Sequence, residues 1–210
     1  MTKKVHGFGI NDATYKVALN IEGKYTVCPF YDTWKHVLER SCSEAFKMKL
    51  DCYEKVSVNT EWEYFTDFKG WMESQVWEGL HLDKDILIMG NKEYSSKTCC
   101  FIPHWLNKIF TIKNHSKKSE LPIGVDFIKR SGKFRARVSN GEGRSIGLGY
   151  HKSASDAHRA WQLGKIVVIE SAIDKYRLEK CYRPDVEKAL LERVDLLKFH
   201  MNNNIITETL

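Results

Sequence analysis

The sequence predicts an α+β protein with a helix-rich N-terminal region, a three-stranded antiparallel sheet backed by one helix, and a last helix near the C-terminus. Three observations support this fold class. Apolar residues recur at helical spacing over 32–47 and 60–75, polar and apolar residues alternate over 133–138, and a capped helical stripe follows over 153–168. With 210 residues, the chain has room for one sizeable domain or two small ones.

The first helix is predicted over 32–47. Either Asp32 or Thr33 caps it. The residues that share one of its faces are Trp34, Val37, Leu38 and Ser41. A strand-like segment follows over 53–58.

Aromatic residues dominate the next helix, which we place at 60–75. Its apolar positions at helical spacing are Trp62, Phe65, Phe68, Trp71 and Met72. Because six aromatic residues lie between Trp62 and Trp77, we expect them to form a dense core. A stacking platform for nucleic-acid bases is the alternative.

Residues 81–107 predict a strand, a turn, a second strand and a helix. The elements are the charged run Asp83-Lys84-Asp85, an apolar strand at Ile86-Leu87-Ile88, a turn at Gly90-Asn91, a strand around Cys99–Ile102, and, past Pro103, a helix carrying His104 and Asn107. Polar groups at the first strand and on the helix give the layout of a ββα-metal nuclease site. Such a site needs oxygen ligands for one divalent ion and a base that activates water beside the scissile phosphate.

A polar, cationic stretch at 111–120 lacks apolar periodicity and is typical of a linker. We therefore expect one domain at 1–110, a second at 121–180, and a helix with a tail at 181–210. Pro184 begins this last helix, whose apolar face consists of Val186, Leu190, Val194 and Leu197. That face packs either against its own domain or against a second copy of the chain.

Composition narrows the setting in which the chain works. No run of eighteen apolar residues occurs and the first residues lack a signal-peptide core, so we expect neither a membrane span nor secretion. Six cysteines without a C-x-x-C spacing give no zinc-ribbon signature and indicate a reducing, intracellular environment. We interpret the adjacent Cys99-Cys100 as small core residues rather than as a redox pair.

The alternating strand at 133–138 separates its cations from its apolar residues. Side chains alternate across a sheet, so Lys133, Arg135 and Arg137 project to one face and Phe134, Ala136 and Val138 to the other. Ser153 is the expected N-cap of the following helix, with Asp156 as the acidic member of a capping box. The stripe that would cover the apolar face is Ala157, Ala160, Trp161, Gly164 and Val168. An ordinary solvated edge of a small α+β unit is the alternative.

Positive charge is concentrated in this second region. Residues 121–183 contain thirteen Lys and Arg against six Asp and Glu, a net charge of +7, whereas the whole chain carries +6. The remainder is therefore close to neutral. Because three cations on one sheet face repel one another, we expect a polyanion as the partner, and a basic excess confined to one segment is typical of a nucleic-acid-binding module.

The same region resembles the Apetala-two/ethylene-response-factor DNA-binding domain. The landmarks, in order, are Gly124-Val125, Gly132-Lys133-Phe134, Arg137-Val138, Leu148-Gly149-Tyr150, Ser155-Asp156-Ala157 and Ala160-Trp161. The resemblance covers about 50 residues and implies a three-stranded sheet in the major groove of duplex DNA. The implied DNA contacts are Lys129, Arg130, Lys133, Arg135, Arg137 and Arg144. Asp126 stands where the family usually has Arg, and Gly147 replaces a Trp, so a base preference does not transfer.

Residues 28–110 resemble HNH endonucleases of the phage homing or mobile type. Thr33–Ser43 is similar to the aromatic-rich helix with which such proteins often begin, and Leu82–Pro103 is similar to the segment that follows. The resemblance implies an Asp-His pair at the first strand, an Asn before the helix, and an Asn or His on it. Asp83 and Asn107 fit two of these positions, but the His position falls on Lys84 and the central Asn on Thr98.

Because Lys84 stands at the position of the general-base His, the sequence does not identify the general base. Lysine is a poor general base unless burial lowers its pKa. Either His81, His104 or Asp85 serves instead, or the nuclease is weakened or inactive. The catalytic residues that the resemblance implies are Asp83, Lys84, Asp85, His104 and Asn107, with Asp83, Asp85 and Asn107 as ligands of Mg²⁺ or Mn²⁺.

The sequence thus predicts a site-directed, metal-dependent DNA endonuclease with double-stranded DNA as its partner, no membrane and no obligatory protein partner. The resemblance implies a bacteriophage mobile element that acts in the cytoplasm of an infected bacterial host. A non-catalytic duplex-DNA-binding regulator with a degenerate nuclease scaffold is the alternative, and Lys84 favours it. We expect RNA binding less, because the predicted sheet lacks exposed aromatic residues for base stacking.

Overall fold

A computed structural model describes residues 4–50, 53–111 and 120–210 of the chain. It is a mixed α+β protein, as the sequence predicts, and it divides into two compact units, Met1–Phe101 and Ile102–Leu210. The predicted linker at 111–120 lies almost entirely outside the described residues.

The first unit consists of short elements. They are β1 (Ala18–Ile21), β2 (Lys24–Val27), α1 (Pro29–Cys42), α2 (Glu44–Lys49), β3 (Ser57–Val58), a 3-10 turn (Thr60–Trp62), α3 (Phe65–Glu73), β4 (His81–Asp83), β5 (Glu93–Tyr94) and β6 (Cys100–Ile102). β1 and β2 form an antiparallel hairpin, and β3 pairs with β5 in parallel. β4 pairs with β6, whose last residue begins the second unit.

Most aromatic residues of 60–75 lie in the core of this unit, as predicted, although Tyr64 is 44% exposed. Trp34, Trp62, Phe65 and Phe68 are at most 1% exposed. The Trp34 indole Nε1 donates a hydrogen bond of 2.8 Å to the Trp62 carbonyl, which joins α1 to the 3-10 turn. Rings so deeply enclosed have no open face on which a base could stack. Cys99 and Cys100 are buried as well, as expected for small core residues.

The helix predicted over 32–47 is two helices. The chain breaks at Ser43, where an extended backbone ends α1 and the side-chain hydroxyl accepts a hydrogen bond from the Phe46 amide to start α2. α1 also begins earlier than predicted, at Pro29, which needs no amide hydrogen there. Neither Asp32 nor Thr33 is its cap, because Thr33 lies inside the helix and donates to the Pro29 carbonyl. The strand expected over 53–58 is limited to Ser57–Val58.

The second unit contains the sheet that the sequence predicts. Its elements are α4 (His104–Phe110), β7 (Val125–Ile128), β8 (Lys133–Ser139), β9 (Ser145–His151), α5 (Ala154–Tyr176) and α6 (Pro184–Asn202). The three strands pair antiparallel in the order β7-β8-β9, with β8 in the centre. A bulge between Arg135 and Arg137 shifts the register of β9 by one residue.

Helix α5 covers one face of this sheet. Ser153 caps it as predicted, accepting a hydrogen bond of 3.0 Å from the Asp156 amide. The small residue Gly164 lets Leu148 of β9 lie directly against the helix, since a Cβ at this position would overlap that side chain. Val125 and Ala136 of the sheet and Ala157 of α5 are buried between the helix and the sheet.

Two further helices complete the second unit. α6 packs along α5 through its predicted apolar face, on which Val186, Leu190, Val194 and Leu197 are at most 2% exposed. That face is therefore used within its own unit. α4 also belongs to this unit, because Gly141 of the β8–β9 turn packs against Trp105 and Ile109 of α4.

Candidate nucleic-acid interface and carboxylate site

The sheet of the second unit leaves one face uncovered by α5, here called the open face. Within β8, Ala136 and Val138 are buried toward the helix, whereas Lys133 and Arg137 are exposed and Arg135 is half-buried. This alternation is the one predicted from the sequence, and it follows from the twofold period of a strand. The structure thus places three predicted DNA contacts on one strand of the open face.

The other three predicted contacts lie in the two turns of the sheet. Lys129 and Arg130 belong to the β7–β8 turn, and Arg144 precedes β9. All three are exposed. Within the described residues none of them forms a salt bridge, so their charge is available to a partner. The six cations are therefore distributed over the open face and its two ends.

Asp126 neutralises part of the open face. It lies on β7 directly opposite Arg135. Its Oδ2 is 3.1 Å from NH2 of Arg135 and 2.6 Å from Nε of Arg137. Burial acts to raise the pKa of the Asp126 carboxyl, but the hydrogen bonds from Arg137 and Arg135 outweigh it and hold that pKa below its usual range. The repulsion expected among three adjacent cations is thus relieved within the protein for two of them.

The open face also carries an aromatic residue. Tyr150 of β9 pairs with Arg135 across the sheet, so both side chains project to the same face, and Tyr150 is 59% exposed. The expectation that the sheet lacks exposed aromatic residues was therefore wrong. The β9 register, which the bulge in the β8–β9 pairing sets, decides this orientation, and a bulge cannot be read from the alternation of β8 alone.

The predicted carboxylate site lies where a strand ends in a turn, and not at the start of a strand. Asp83 ends β4, and its Oδ1 accepts hydrogen bonds from the amides of Asp85 at 2.9 Å and Ile86 at 2.7 Å. The chain then runs through bends and turns, so the strand predicted at 86–88 is wrong. An Asp side chain that binds the amides two and three residues ahead competes with strand pairing, which explains the difference.

Burial shifts the acidity of this turn. It raises the pKa of Asp83 to about 6, and the neighbouring charge of Asp85 acts in the same direction. A carboxyl whose pKa is raised by burial beside a second carboxylate is typical of sites that accept a cation. Within the described residues, however, no group of three or more His, Cys, Asp and Glu side chains is arranged to hold a metal ion.

Lys84 is bound in the same turn and takes a structural role. It is about 9% exposed, and its Nζ donates to Asp85 Oδ2 at 2.9 Å and to the Asn91 carbonyl at 3.1 Å. Asn91 returns two hydrogen bonds, to the carbonyls of Lys84 and Glu93. These hydrogen bonds connect the two ends of the loop between Lys84 and Asn91.

The five predicted catalytic residues are divided between the two units. Asp83, Lys84 and Asp85 lie together in the first unit, whereas His104 and Asn107 lie on α4 in the second. His104 is exposed, and the Asn107 side-chain oxygen accepts a 3.4 Å hydrogen bond from the Thr111 hydroxyl. The alternative base His81 lies at the start of β4 and is exposed.

The sequence patterns assign no role to two residues of the open face. In them Asp126 is only a departure from the family pattern, and Tyr150 is only one of its landmarks. Pairing Val125–Ile128 with the basic strand places Asp126 beside Arg135, so the ion pair could have been predicted from a hairpin register.

No helix in the described part of the chain is long and apolar enough to cross a membrane. Comparison with protein-family models, with curated proteins and with solved structures found no match to this chain.

Proposed function

We propose that the protein binds duplex DNA through the open face of the β7–β9 sheet. The observation that carries this proposal is the segregation of charge in β8, where Lys133, Arg135 and Arg137 project away from α5. The resemblance to the Apetala-two/ethylene-response-factor domain implies that such a sheet lies in the major groove, and exposed cations along it can contact the phosphates on either side.

The distribution of neutralised and available cations gives the open face two zones. Arg135 and Arg137 in the centre are held by Asp126, whereas Lys133 and the turn residues Lys129, Arg130 and Arg144 pair with no carboxylate among the described residues. Cations at the rim suit the phosphate backbones, and directed guanidinium groups in the centre suit base edges. The pattern favours a groove-binding sheet over a uniformly charged patch.

Replacing single cations tests this interface. Lys133→Ala should weaken binding to a 20-base-pair duplex and lower the slope of log K against log salt by about 1, because one phosphate contact is lost. Arg135→Ala and Arg137→Ala should also weaken binding, with a smaller change in slope, since Asp126 already balances part of their charge. Fluorescence anisotropy over a salt series measures both quantities.

A matched control separates local contacts from net charge. Lys188→Ala makes the same charge change on an exposed site of α6 and should leave affinity and slope close to wild type. Wild-type affinity in Lys133→Ala and Arg137→Ala together would reject the open face as the interface. Tighter binding of single-stranded RNA of equal length would reject duplex DNA as the partner, and Tyr150 makes that comparison necessary.

A metal-dependent DNA endonuclease is the second candidate. The observation that favours it is the pair Asp83 and Asp85, in which burial beside a second carboxylate raises the pKa of Asp83. The resemblance of 28–110 to phage HNH endonucleases points the same way, and the site would use Mg²⁺ or Mn²⁺. The hydrogen bonds of Lys84 support the non-catalytic alternative.

Cleavage assays distinguish the endonuclease from the non-catalytic DNA-binding regulator. The full chain is incubated with Mg²⁺ or Mn²⁺ and DNA from the genome that encodes it, beside Asp83→Asn and Asp85→Asn. Asp83→Asn keeps an oxygen that can accept the two turn hydrogen bonds, so a loss of cleavage reports the carboxylate charge rather than the fold. Cleavage that persists in both variants would reject this site, and no cleavage by wild type would favour the regulator.

A further inference from the structure

Asp126 lies on the edge strand β7 and binds two cations of the central strand β8. Both guanidinium contacts are made to Oδ2, at 3.1 Å from Arg135 NH2 and 2.6 Å from Arg137 Nε. No donor among the described residues binds Oδ1. The side chain is 27% exposed, so one acceptor oxygen remains open to a partner on the open face.

The contacts to Asp126 also direct Arg137. Its Nε binds the carboxylate, which leaves the terminal NH1 and NH2 groups outside the ion pair. The Arg137 side chain is 43% exposed. The carboxylate thereby fixes the plane of the guanidinium at one end and orients four N–H donors at the other. Arg137 and Asp126 together present adjacent donors and an acceptor.

A carboxylate here is informative because it repels phosphates. Had the face served only to neutralise the DNA backbone, a negative group between two arginines would weaken binding. In the major groove, by contrast, a carboxylate can accept a hydrogen bond from the N4 amino group of cytosine, and Arg can donate to O6 and N7 of guanine. The donor and the acceptor that these two groups need lie side by side in one base pair.

The ion pair keeps the two protein groups next to each other, as the base pair does with its own two groups. Asp126 Oδ2 and Arg137 Nε are 2.6 Å apart and bind each other. The atoms left for the base edges are therefore Asp126 Oδ1 and the terminal N–H groups of Arg137. In this arrangement Oδ1 would accept the N4 hydrogen that the cytosine does not use in base pairing, and Arg137 would donate to the neighbouring guanine.

We propose that Asp126 and Arg137, supported by Arg135, form a base-reading unit that selects a G·C pair, in which Arg137 donates to guanine and Asp126 accepts from the cytosine amino group. This inference rests on the proposed duplex-DNA binding and adds its specificity. Asp126 lowers affinity for DNA of any sequence and restores it only where a cytosine amino group lies opposite Oδ1. Discrimination at that pair should be roughly 5- to 150-fold, the range of a good bidentate contact.

Selection from a random duplex library tests the unit in the full chain. Wild type should enrich a G·C pair at one position at least. Asp126→Asn should bind non-specific duplex more tightly and with a steeper salt dependence, and it should lose the preference for cytosine at that position. Asp174→Asn, with the same charge change on an exposed site of α5, should retain the wild-type preference.

Asp126→Glu separates the charge of the carboxylate from the position of its acceptor oxygen. Its charge still balances Arg135 and Arg137, so the salt dependence should stay near wild type, but the longer side chain displaces the acceptor and should reduce the G·C preference. Binding without preference at any position, or an unchanged preference in Asp126→Asn, would overturn the reading unit alone. Failure of wild type to bind any duplex would overturn the proposed function together with it.

Discussion

Asp83 shows how a single side chain can organise a loop at a cost in stability. Its Oδ1 accepts two backbone amides, and its pKa is raised to about 6 by burial and by Asp85. The folded state therefore keeps a proton on Asp83 at pH values where the unfolded chain, with a value of 3.8, has lost it. Between these two values the free energy of unfolding falls as pH rises, and above pH 6 the full penalty is present.

Asp83→Asn should consequently stabilise the protein at neutral pH. The amide oxygen can still accept both hydrogen bonds, while the buried charge disappears. We expect a gain on the order of 2 kcal/mol at pH 7 that vanishes below pH 4, where wild-type Asp83 is itself neutral. Urea denaturation of both proteins at pH 4, 5.5 and 7 measures the difference. The exposed Glu54→Gln is the control for a changed net charge.

The outcome bears on the candidate nuclease. A residue that lowers stability at working pH and is nevertheless present is typical of a functional site. If Mg²⁺ stabilises wild type and not Asp83→Asn, Asp83 binds the ion, because a ligand that binds only the folded state adds to its stability. An equal gain from Asp83→Asn at pH 4 and pH 7 would contradict the raised pKa.

At the scale of elements, one glycine determines how closely the start of β7 can approach α5. Gly124 has a φ of +79°, which L-residues avoid, and a Cβ there would overlap the ring of Trp161 on α5. Its neighbour Ile123 accepts a hydrogen bond of 3.0 Å from the buried His158. The glycine thus lets the strand begin in contact with the helix that covers it.

Gly124→Ala should destabilise the second unit by about 3 kcal/mol or more. Positive φ contributes about 1 kcal/mol, and the overlap with Trp161 forces either the strand or the helix to move. Gly132→Ala is the matched control, since Gly132 has a φ of +64° with no atom within 4 Å of the added Cβ. It should lose only about 1 kcal/mol. Similar losses for both variants in thermal unfolding would show that close packing at Gly124 is unimportant.

Elements with a regular pattern and a local signal were predictable. β8 follows strict alternation, and α5 begins at a serine with an aspartate three residues on, so both were confirmed. The segment at 86–88 has apolar residues but no strand, because the hydrogen bonds of Asp83 impose a turn that hydrophobicity does not reveal. The prediction of one helix over 32–47 was wrong for a similar reason, because the Ser43 side chain starts a second helix where the first one ends.

The candidate sites differ in how far the sequence predicts them. The cations of the open face follow from a period of two and lie where expected. Strand register decides that these cations pair with Asp126 and that Tyr150 is exposed beside them. Loop geometry decides which hydrogen bonds Lys84 forms. Such contacts join residues of different strands or turns, and no single-segment pattern specifies them.

At the scale of the whole molecule, α4 belongs with the sheet unit. Trp105 donates from Nε1 to Glu179 Oε1 at 3.1 Å, and Lys175 lies 4.3 Å above the Trp105 ring. The buried Lys165 donates to the Ile109 carbonyl at the end of the helix. Burial lowers the pKa of Lys165 to about 7, and the charge of Arg193 acts in the same direction. The compact unit thus begins at Ile102, ahead of the linker that the sequence predicts.

A pair of fragments tests this organisation. Residues 102–210 should fold and bind duplex DNA with the affinity of the full chain, because they contain the open face and α4. Residues 121–210, the region beyond the predicted linker, should unfold at a temperature several degrees lower. The loss of α4 removes the acceptor of Lys165 and exposes the surface of Gly141 that packs on Trp105 and Ile109. Circular dichroism melts and anisotropy titrations of both fragments measure the two effects, and equal melting temperatures would show that α4 is dispensable for the sheet unit.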